Sequence, residues 1–416
     1  MAVRVYLQTF GCRANQYDSE AVAALVASGG GVLVTSAEDA DVAVFNSCAV
    51  TASAEADLRQ QVRRAATRNP ALQSIVMGCA AARSGAQIRA LPTVSTVVPG
   101  ADLEAIGAAL GFAPDAVVRS GGAQRGTRGL LRIQDGCDEH CTFCATTLAR
   151  GANRSRPLEA LIGEAQALGE YHAEIVLTGI HIGTYGSDID SSLGALLSAL
   201  VTRVPTVRFR LSSVEATEVD AQLGELLTHD ARRVAPYLHA PLQSASASVL
   251  RRMGRHWYTA PEYAARVEAL VARRSVFGLG ADLITGFPGE SAADHAATVA
   301  FVSALPFTTL HVFPYSPRPG TAALRLPDVV AESVSRERAA ELRELAAAKA
   351  LAYRAARAGG PADVIVIGHD NGHRDGLTED YLSVHLTVPA PPRGTRFDAT
   401  LTAASSPRGL VAVPLA

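Results

Sequence analysis

The chain has 416 residues, 48% of them hydrophobic and 19% charged, and its formal net charge is −2. This is the composition of a globular protein with room for two or three domains. It excludes a global electrostatic attraction to nucleic acid, so any such contact must come from local patches. The amino terminus lacks a charged segment followed by a long apolar one, and no run of 18 apolar residues occurs. Neither a secretory leader nor a membrane span is therefore expected, and the chain reads as cytoplasmic. In that reducing setting its six cysteines read as free thiols available to metal.

Residues 1–100 read as repeated strand-then-helix units. Strand Val3–Thr9 runs to Gly11-Cys12 and is followed by helical Ser19–Ala27; strand Asp41–Asn46 runs to Cys48 and a helix over Ala54–Arg68; strand Ser74–Met77 runs to Gly78-Cys79. Each cysteine thus sits just past the carboxyl end of an apolar strand. In an open parallel α/β sheet those ends share one edge, where ligands bind. The pattern brings together Cys12, Cys48 and Cys79, which are 36 and 31 residues apart.

A Gly/Arg-rich connector spans Ser120–Arg128. Beyond it, strand patterns at Leu130–Gln134, Glu174–Leu177, Val207–Leu211, Tyr237–Leu242, Leu279–Ile284 and Thr309–Phe313 alternate with helical ones. Six β/α repeats predict a partial barrel whose chemistry lies at the carboxyl ends of its strands. An Arg/Glu/Ala-rich helix follows over 329–357. The segments Ala362–Ile367, Tyr381–Val388, Arg396–Thr402 and Gly409–Val413 then alternate like the short strands of a small β-barrel. The fold class is α/β in three parts: an open parallel α/β domain over 1–112, a partial (β/α)6 barrel over 123–352 and a C-terminal β-barrel over 360–416.

Cys137, Cys141 and Cys144 form a C-x3-C-x2-C run directly after the first barrel strand. A cubane iron–sulfur cluster normally takes four thiolates, so three leave one iron open to a reactive ligand. Zinc is the competing reading, with His140 completing a Cys3His set. Zinc sites usually pair cysteines in two separated knuckles, whereas these four candidates crowd into eight residues.

The spacing, on a β/α barrel, resembles the signature of radical S-adenosylmethionine enzymes. In such enzymes the open iron is chelated by the cofactor's methionine portion, and one electron yields a 5′-deoxyadenosyl radical. The strand ends supply candidate cofactor contacts: Gly179 and His181, Ser213 and Glu215, Gln243, then Asp282 and Gly286. Taken whole, the chain resembles the radical methylthiotransferases, which combine a three-cysteine domain, a radical core and an RNA-binding barrel of the TRAM type.

The resemblance implies two [4Fe–4S] clusters: an auxiliary one on Cys12, Cys48 and Cys79, and a radical-generating one on Cys137, Cys141 and Cys144. No catalytic side chain beyond these ligands is implied. Segments 8–20, 46–51, 59–65 and 68–70, with Leu177–His181 and His311–Ser316, are similar to the branch acting on N6-threonylcarbamoyladenosine in tRNA. The expected reaction is methylthio transfer to C2 of that base at tRNA position 37. The expected partners are tRNA, S-adenosylmethionine and an electron donor of the flavodoxin or ferredoxin type; the sulfur donor has no signature in the chain. Alternatives are the same chemistry on isopentenyladenosine tRNA or a ribosomal-protein aspartate, or an iron–sulfur electron carrier.

Two segments depart from the family pattern. Ala145-Thr146-Thr147 replaces Ile-Ile-Pro after Cys144, and Ala245 replaces the glycine of Gln-Ser-Gly-Ser, which is expected to crowd a tight turn. Arg59 and Arg63 fall on one helix face beside Arg64. Arg125, Arg128, Arg150, Arg154 and Arg156 gather around the cysteine run. Both groups suit phosphate positioning.

Overall fold

The computed structural model describes residues 2–113, 122–370, 373–387, 391–403 and 409–415; Ser120 and Gly121 of the connector and Val388 of an expected strand lie outside these. The chain divides into two compact units. One comprises Met1–Gly122, Gln134–Arg154 and Ser316–Leu324; the other comprises Ala123–Ile133, Ser155–Tyr315 and Arg325–Ala416.

The first unit is built on five parallel strands, β1 (Arg4–Thr9), β2 (Val32–Val34), β3 (Val42–Ser47), β4 (Gln73–Gly78) and β5 (Val94–Pro99), in the order β2-β1-β3-β4-β5. Helices α1 (Arg13–Ser28), α2 (Ala52–Arg68), α3 (Cys79–Arg89) and α4 (Leu103–Ala109) alternate with them. Strand side chains point alternately to opposite faces, so each strand feeds two cores. Ala43 and Phe45 join Leu58, Val62 and Ile88 on one side. Val42 and Val44 join Val22, Val26 and Ile106 on the other. Strands β2 and β5 were not expected. The first has three residues and the second is a partly exposed edge ending in proline, so neither carries a full apolar run.

The second unit holds six strands, β6 (Gly129–Arg132), β7 (Glu174–Thr178), β8 (Arg208–Leu211), β9 (Tyr237–His239), β10 (Gly278–Thr285) and β11 (Thr309–Pro314). They form two parallel three-stranded sheets, β8-β7-β6 and β9-β10-β11. Parallel bridges Phe209–Val234 and Ser213–His239 join the two, which gives the partial six-stranded barrel. A single apolar core runs through it, from Leu131 and Leu177 to Phe209, Leu238, Leu283 and Val312.

After the long helix Glu332–Arg357 come β12 (Pro361–Asp370), β13 (His373–Leu377), β14 (Ser383–Leu386), β15 (Arg396–Ala403) and β16 (Leu410–Pro414), closed into a barrel in the order β12-β13-β14-β16-β15. Within this unit the small barrel is tied to the larger one by charge. Glu174 accepts from Arg208 Nε at 2.7 Å and Arg210 Nε at 2.8 Å, all three side chains being fully buried. The same guanidiniums donate onward to the carbonyls of Asp363 and Thr378, each at 3.0 Å. Tyr381 stacks on Tyr237 with centroids 4.5 Å apart. No helix among the described residues is long and apolar enough to cross a membrane.

Candidate active site

In the first unit the structure brings Cys12, Cys48 and Cys79 to the carboxyl edge of the sheet. Cys12 caps α1, Cys48 follows β3 directly, and Cys79 opens α3. Asn15 stands among them: its Oδ1 accepts from Cys12 Sγ at 3.7 Å and Cys79 Sγ at 3.9 Å, while its amide donates to the carbonyls of Phe10 and Ser47. Gly11 has φ +93°, and a Cβ there would fall 2.7 Å from Cys48 Sγ. Only glycine lets that turn pass so close to the sulfur. Burial, aided by the neighbouring Cys12 and Cys79, pushes the Cys48 thiol up to about 11. Burial likewise raises the Cys79 thiol, although the nearby Arg150 guanidinium pulls the other way.

The C-x3-C-x2-C run belongs to the same unit. Its entry turn uses Gly136 at φ +77°, where a Cβ would overlap the carbonyl of Ala152. Cys137 N–H then donates to Gly151 O at 3.0 Å, and Cys144 N–H to Cys141 O at 3.0 Å, folding the run into a compact loop. Asp138 accepts from Asn153 N–H at 3.0 Å and ties the start of the run to the residues that follow the next helix. Ala145 is buried, and Thr146 N–H points at Cys144 Sγ at 3.4 Å, at the start of α5 (Thr146–Arg150). The substituted segment thus packs without losing contact to the cysteine.

Arg150 closes α5 and was expected to face phosphate. Instead it is turned inward, with its side chain 3% exposed. Its Nε donates to Cys79 Sγ at 3.3 Å, and its Nη2 donates to Asn15 Oδ1 at 2.9 Å and Asp18 Oδ2 at 2.7 Å. Its Nη1 lies 3.4 Å from Asp135, the residue before the Gly136 turn. One guanidinium therefore connects the strand-end cysteines to the root of the cysteine loop. Burial works against its charge, but Asp18, Cys79 and Asp135 more than offset this and keep it protonated. Arg128 and Arg156 are also committed to carboxylates, Glu174 at 3.4 Å and Glu164 at 2.7 Å.

These donors suit iron–sulfur clusters. Sulfurs approached by N–H groups and a buried cation match the electron-rich thiolates of such clusters. Each triplet offers three thiols, and no further cysteine exists in the chain.

The second unit carries the candidate cofactor contacts. Gly179 follows β7, and His181 opens the turn Ile182–Thr184 with its Nε2 2.8 Å from Glu218 Oε1. The glycine-rich character of this segment serves the protein itself, because a Cβ on Gly183 would overlap the Glu218 carboxylate. Ser213 bridges to His239 through the backbone. Glu215, another of the candidate cofactor contacts, is buried, and both its oxygens lie 2.6 Å from Arg255 Nη2. Burial raises its carboxyl pKa against the pull of Arg255.

Gln243 has φ +63° and is stitched to β10 by Gln243 N–H to Asp282 O and Ile284 N–H to Gln243 O, at 2.8 and 2.9 Å. This residue, not Ala245, takes the left-handed backbone. Ala245 donates to Thr298 Oγ1 at 3.2 Å, so the expected crowding is absent. Asp282 Oδ1 accepts from His239 Nε2 at 3.1 Å and His311 Nδ1 at 3.2 Å. Burial opposes its ionisation, but the two imidazoles prevail and hold the carboxyl well below the usual range. Gly286 N–H donates to Glu290 at 2.6 Å, and the space beside its Cα is filled by Ser335 of the long helix.

Asn15, Asp18 and His311 lie in segments that carry the resemblance, but neither their roles in these constellations nor that of Arg255 was read from the residues. A buried polar residue in an otherwise apolar helix face, such as Asp18 four residues before Val22, was the available signal for one of them.

Comparison with known proteins agrees with this arrangement. Residues 4–100 match Uncharacterized protein family UPF0004, and residues 131–302 match the Radical SAM superfamily. The chain is 38% identical to the threonylcarbamoyladenosine tRNA methylthiotransferase MtaB of Bacillus subtilis, over 80% of this chain and 78% of that one. It is 35% identical to the enzyme of that name from Thermotoga maritima (84% and 83% covered) and 32% identical to that from Aquifex aeolicus (92% and 96%). Among solved structures, the radical S-adenosylmethionine methyltransferase TsrM of Kitasatospora setae, with cobalamin and a [4Fe–4S] cluster bound, aligns with a TM-score of 0.58 at 14% identity, covering 78% of this chain and 77% of that one. That likeness is one of fold. With both cysteine triplets in place and the relatives alike along most of their length, the chain belongs to the threonylcarbamoyladenosine tRNA methylthiotransferase family.

Proposed function

We propose that this chain is a radical S-adenosylmethionine methylthiotransferase that acts on N6-threonylcarbamoyladenosine at tRNA position 37 and places the methylthio group on C2. The observation that carries the reading is the Arg150 network, which ties Cys79 of one triplet to Asp135 at the root of the loop bearing the other, within one compact unit. A carrier that only passes electrons would need neither an open iron in each cluster nor a second unit with polar strand ends.

In this reading Cys12, Cys48 and Cys79 hold an auxiliary [4Fe–4S] cluster, and Cys137, Cys141 and Cys144 hold the one that meets S-adenosylmethionine. When bound, that cluster and cofactor supply the electron and the 5′-deoxyadenosyl radical. The chain's own residues bind and orient. Asn15 and Arg150 fix the positions of the strand-end thiols, and Gly136 sets the entry angle of the loop. His181, Ser213, Gln243 and Asp282, with Gly179, offer polar atoms and open backbone to the cofactor. Glu215 and Gly286 support them from behind through Arg255 and Ser335.

The division of labour follows the sequence boundaries. Residues 1–112 carry the auxiliary cluster, 123–352 the radical core, and 360–416 an RNA-binding barrel of the TRAM type. A flavodoxin- or ferredoxin-type protein in the cytoplasm supplies the electron.

The test is deletion of the gene followed by mass spectrometry of digested total tRNA. The expected result is selective loss of the methylthio form of threonylcarbamoyladenosine with accumulation of its precursor. Loss of the methylthio-isopentenyl form instead overturns the choice of substrate while keeping the chemistry.

A further inference from the structure

A cavity of about 630 Å³ opens in the first unit between α2, α3, the Leu148 side chain and the segment around Arg318. Its walls carry three guanidiniums, Arg59, Arg83 and Arg318, and one carboxylate, Glu55. Glu55 is already shared: Arg318 Nη2 pairs with its Oε1, and Arg59 Nη2 lies 3.4 Å from its Oε2. Arg83 donates to the carbonyl of Pro319, and among the described residues no carboxylate lies within ion-pair range of it.

Two of these cations are incompletely satisfied. Arg318 is 3% exposed, yet its Nε has no hydrogen-bond acceptor, and Arg83 Nη1 is likewise buried without one. Each buried unpaired N–H of a charged group is costly, and two guanidiniums facing each other add repulsion. Burial and the nearby Arg318 both disfavour the charge on Arg83. A negatively charged ligand that accepts several hydrogen bonds offsets the repulsion between the two guanidiniums, and a small rotation of either side chain brings an unpaired N–H to it. Planar guanidinium forks match the tetrahedral oxygens of a phosphate group.

We propose that this cavity is an oxyanion subsite that takes a backbone phosphodiester of the RNA substrate, held by Arg83 and Arg318. The proposal rests on the functional reading above and extends it to a named contact. Two observations favour a phosphodiester of a polymer over a free anion. The volume exceeds what a lone phosphate fills and suits a phosphate with its flanking sugars. The basic track also continues outward along α2, where Arg63 and Arg64 are exposed. The location fits too, because Arg83 lies within electrostatic reach of Cys79 and Cys144. A phosphate seated there belongs to a nucleotide beside the one that reacts.

The experiment measures binding of a fluorescent anticodon stem–loop RNA to the cluster-loaded full chain across a salt series. Arg83→Gln is expected to weaken binding about tenfold and to make the slope of log K against log salt shallower by roughly 0.7 to 1. Gln87→Glu, which adds a carboxylate at the cavity wall and keeps the acceptor that Arg59 Nη2 reaches at 3.5 Å, should weaken binding without removing a contact. Iron content per chain establishes that each variant folds and loads. Equal affinity and equal slope in wild type and both variants overturn the subsite. Inorganic phosphate that binds wild type and not Arg83→Gln, with RNA affinity unchanged, assigns the cavity to a free anion and also overturns it. Failure of the wild-type chain to bind the RNA at all removes the functional reading, and this proposal with it.

Discussion

Arg150 Nη2 lies 2.7 Å from Asp18 Oδ2, and the two side chains are 3% and 1% exposed. They are 132 residues apart in sequence. Because both charges are out of water, each depends on the other.

Replacing Arg150 with Gln should destabilise the protein by about 3–5 kcal/mol, the usual cost of stranding one member of a buried pair. Urea unfolding of the metal-free chain reads this directly. Arg150→Lys should recover part of the loss, since it restores the charge but not the fork that reaches Cys79, Asn15 and Asp18 together. Equal midpoints for wild type and Arg150→Gln would contradict the pairing.

The two cysteine groups should separate in their effects. Cys141→Ala should abolish formation of 5′-deoxyadenosine from S-adenosylmethionine, because the cluster that delivers the electron loses a ligand. Cys48→Ala should leave that cleavage in place and stop methylthio transfer to RNA. Chromatography of both products decides the matter, and transfer that survives in Cys48→Ala rejects the separate roles.

Gly136 offers a structural version of the same test. Its φ of +77° and the Ala152 carbonyl beside it leave no room for a methyl group. Gly136→Ala should therefore deform the cysteine loop and spare the strand-end triplet. On the proposed two-cluster reading, iron per chain is expected to fall from about eight to about four. A full complement of iron in the variant would show that the loop tolerates a different entry.

Glu174 makes stability depend on acidity. Burial alone would raise its carboxyl pKa, but Arg210 and Arg208 overcome it and hold the group well below its ordinary 4.5. A carboxyl whose folded pKa is depressed contributes stability above its unfolded pKa and loses it as pH falls. Unfolding free energy should accordingly drop as pH is lowered below 4.5. Glu174→Gln should flatten that dependence and cost about 3–5 kcal/mol at neutral pH. An unchanged acid limb in the variant would remove Glu174 from this role.

Much of this was readable in the residues. Val42–Phe45 is apolar on both faces and is followed by Asn46, Ser47 and Cys48, a pattern that leads to a strand end whatever else the chain does. The C-x3-C-x2-C spacing carried its chemistry without help from structure. Arg150 shows where reading stops: as one of five arginines near a cysteine run it resembles a phosphate ligand. Only the fold reveals that Asp18 and Asn15 are waiting behind it. The barrel strand His373–Leu377 was invisible for another reason, since a short antiparallel strand with a polar sequence has no period to detect. The pairing of Glu215 was hidden as well, because its partner, Arg255, lies 40 residues later in the chain.

The first unit is assembled from three stretches of chain, the last of them Ser316–Leu324. A ribosome making this protein must therefore emit residue 324 before that unit has all its parts, although its sheet is finished by Pro99. Domains generally fold as they emerge, and both cores that flank this sheet are made well before the late segment that joins its unit. A fragment ending at Gly122 therefore lacks both later stretches of the unit, and with them Cys137, Cys141 and Cys144.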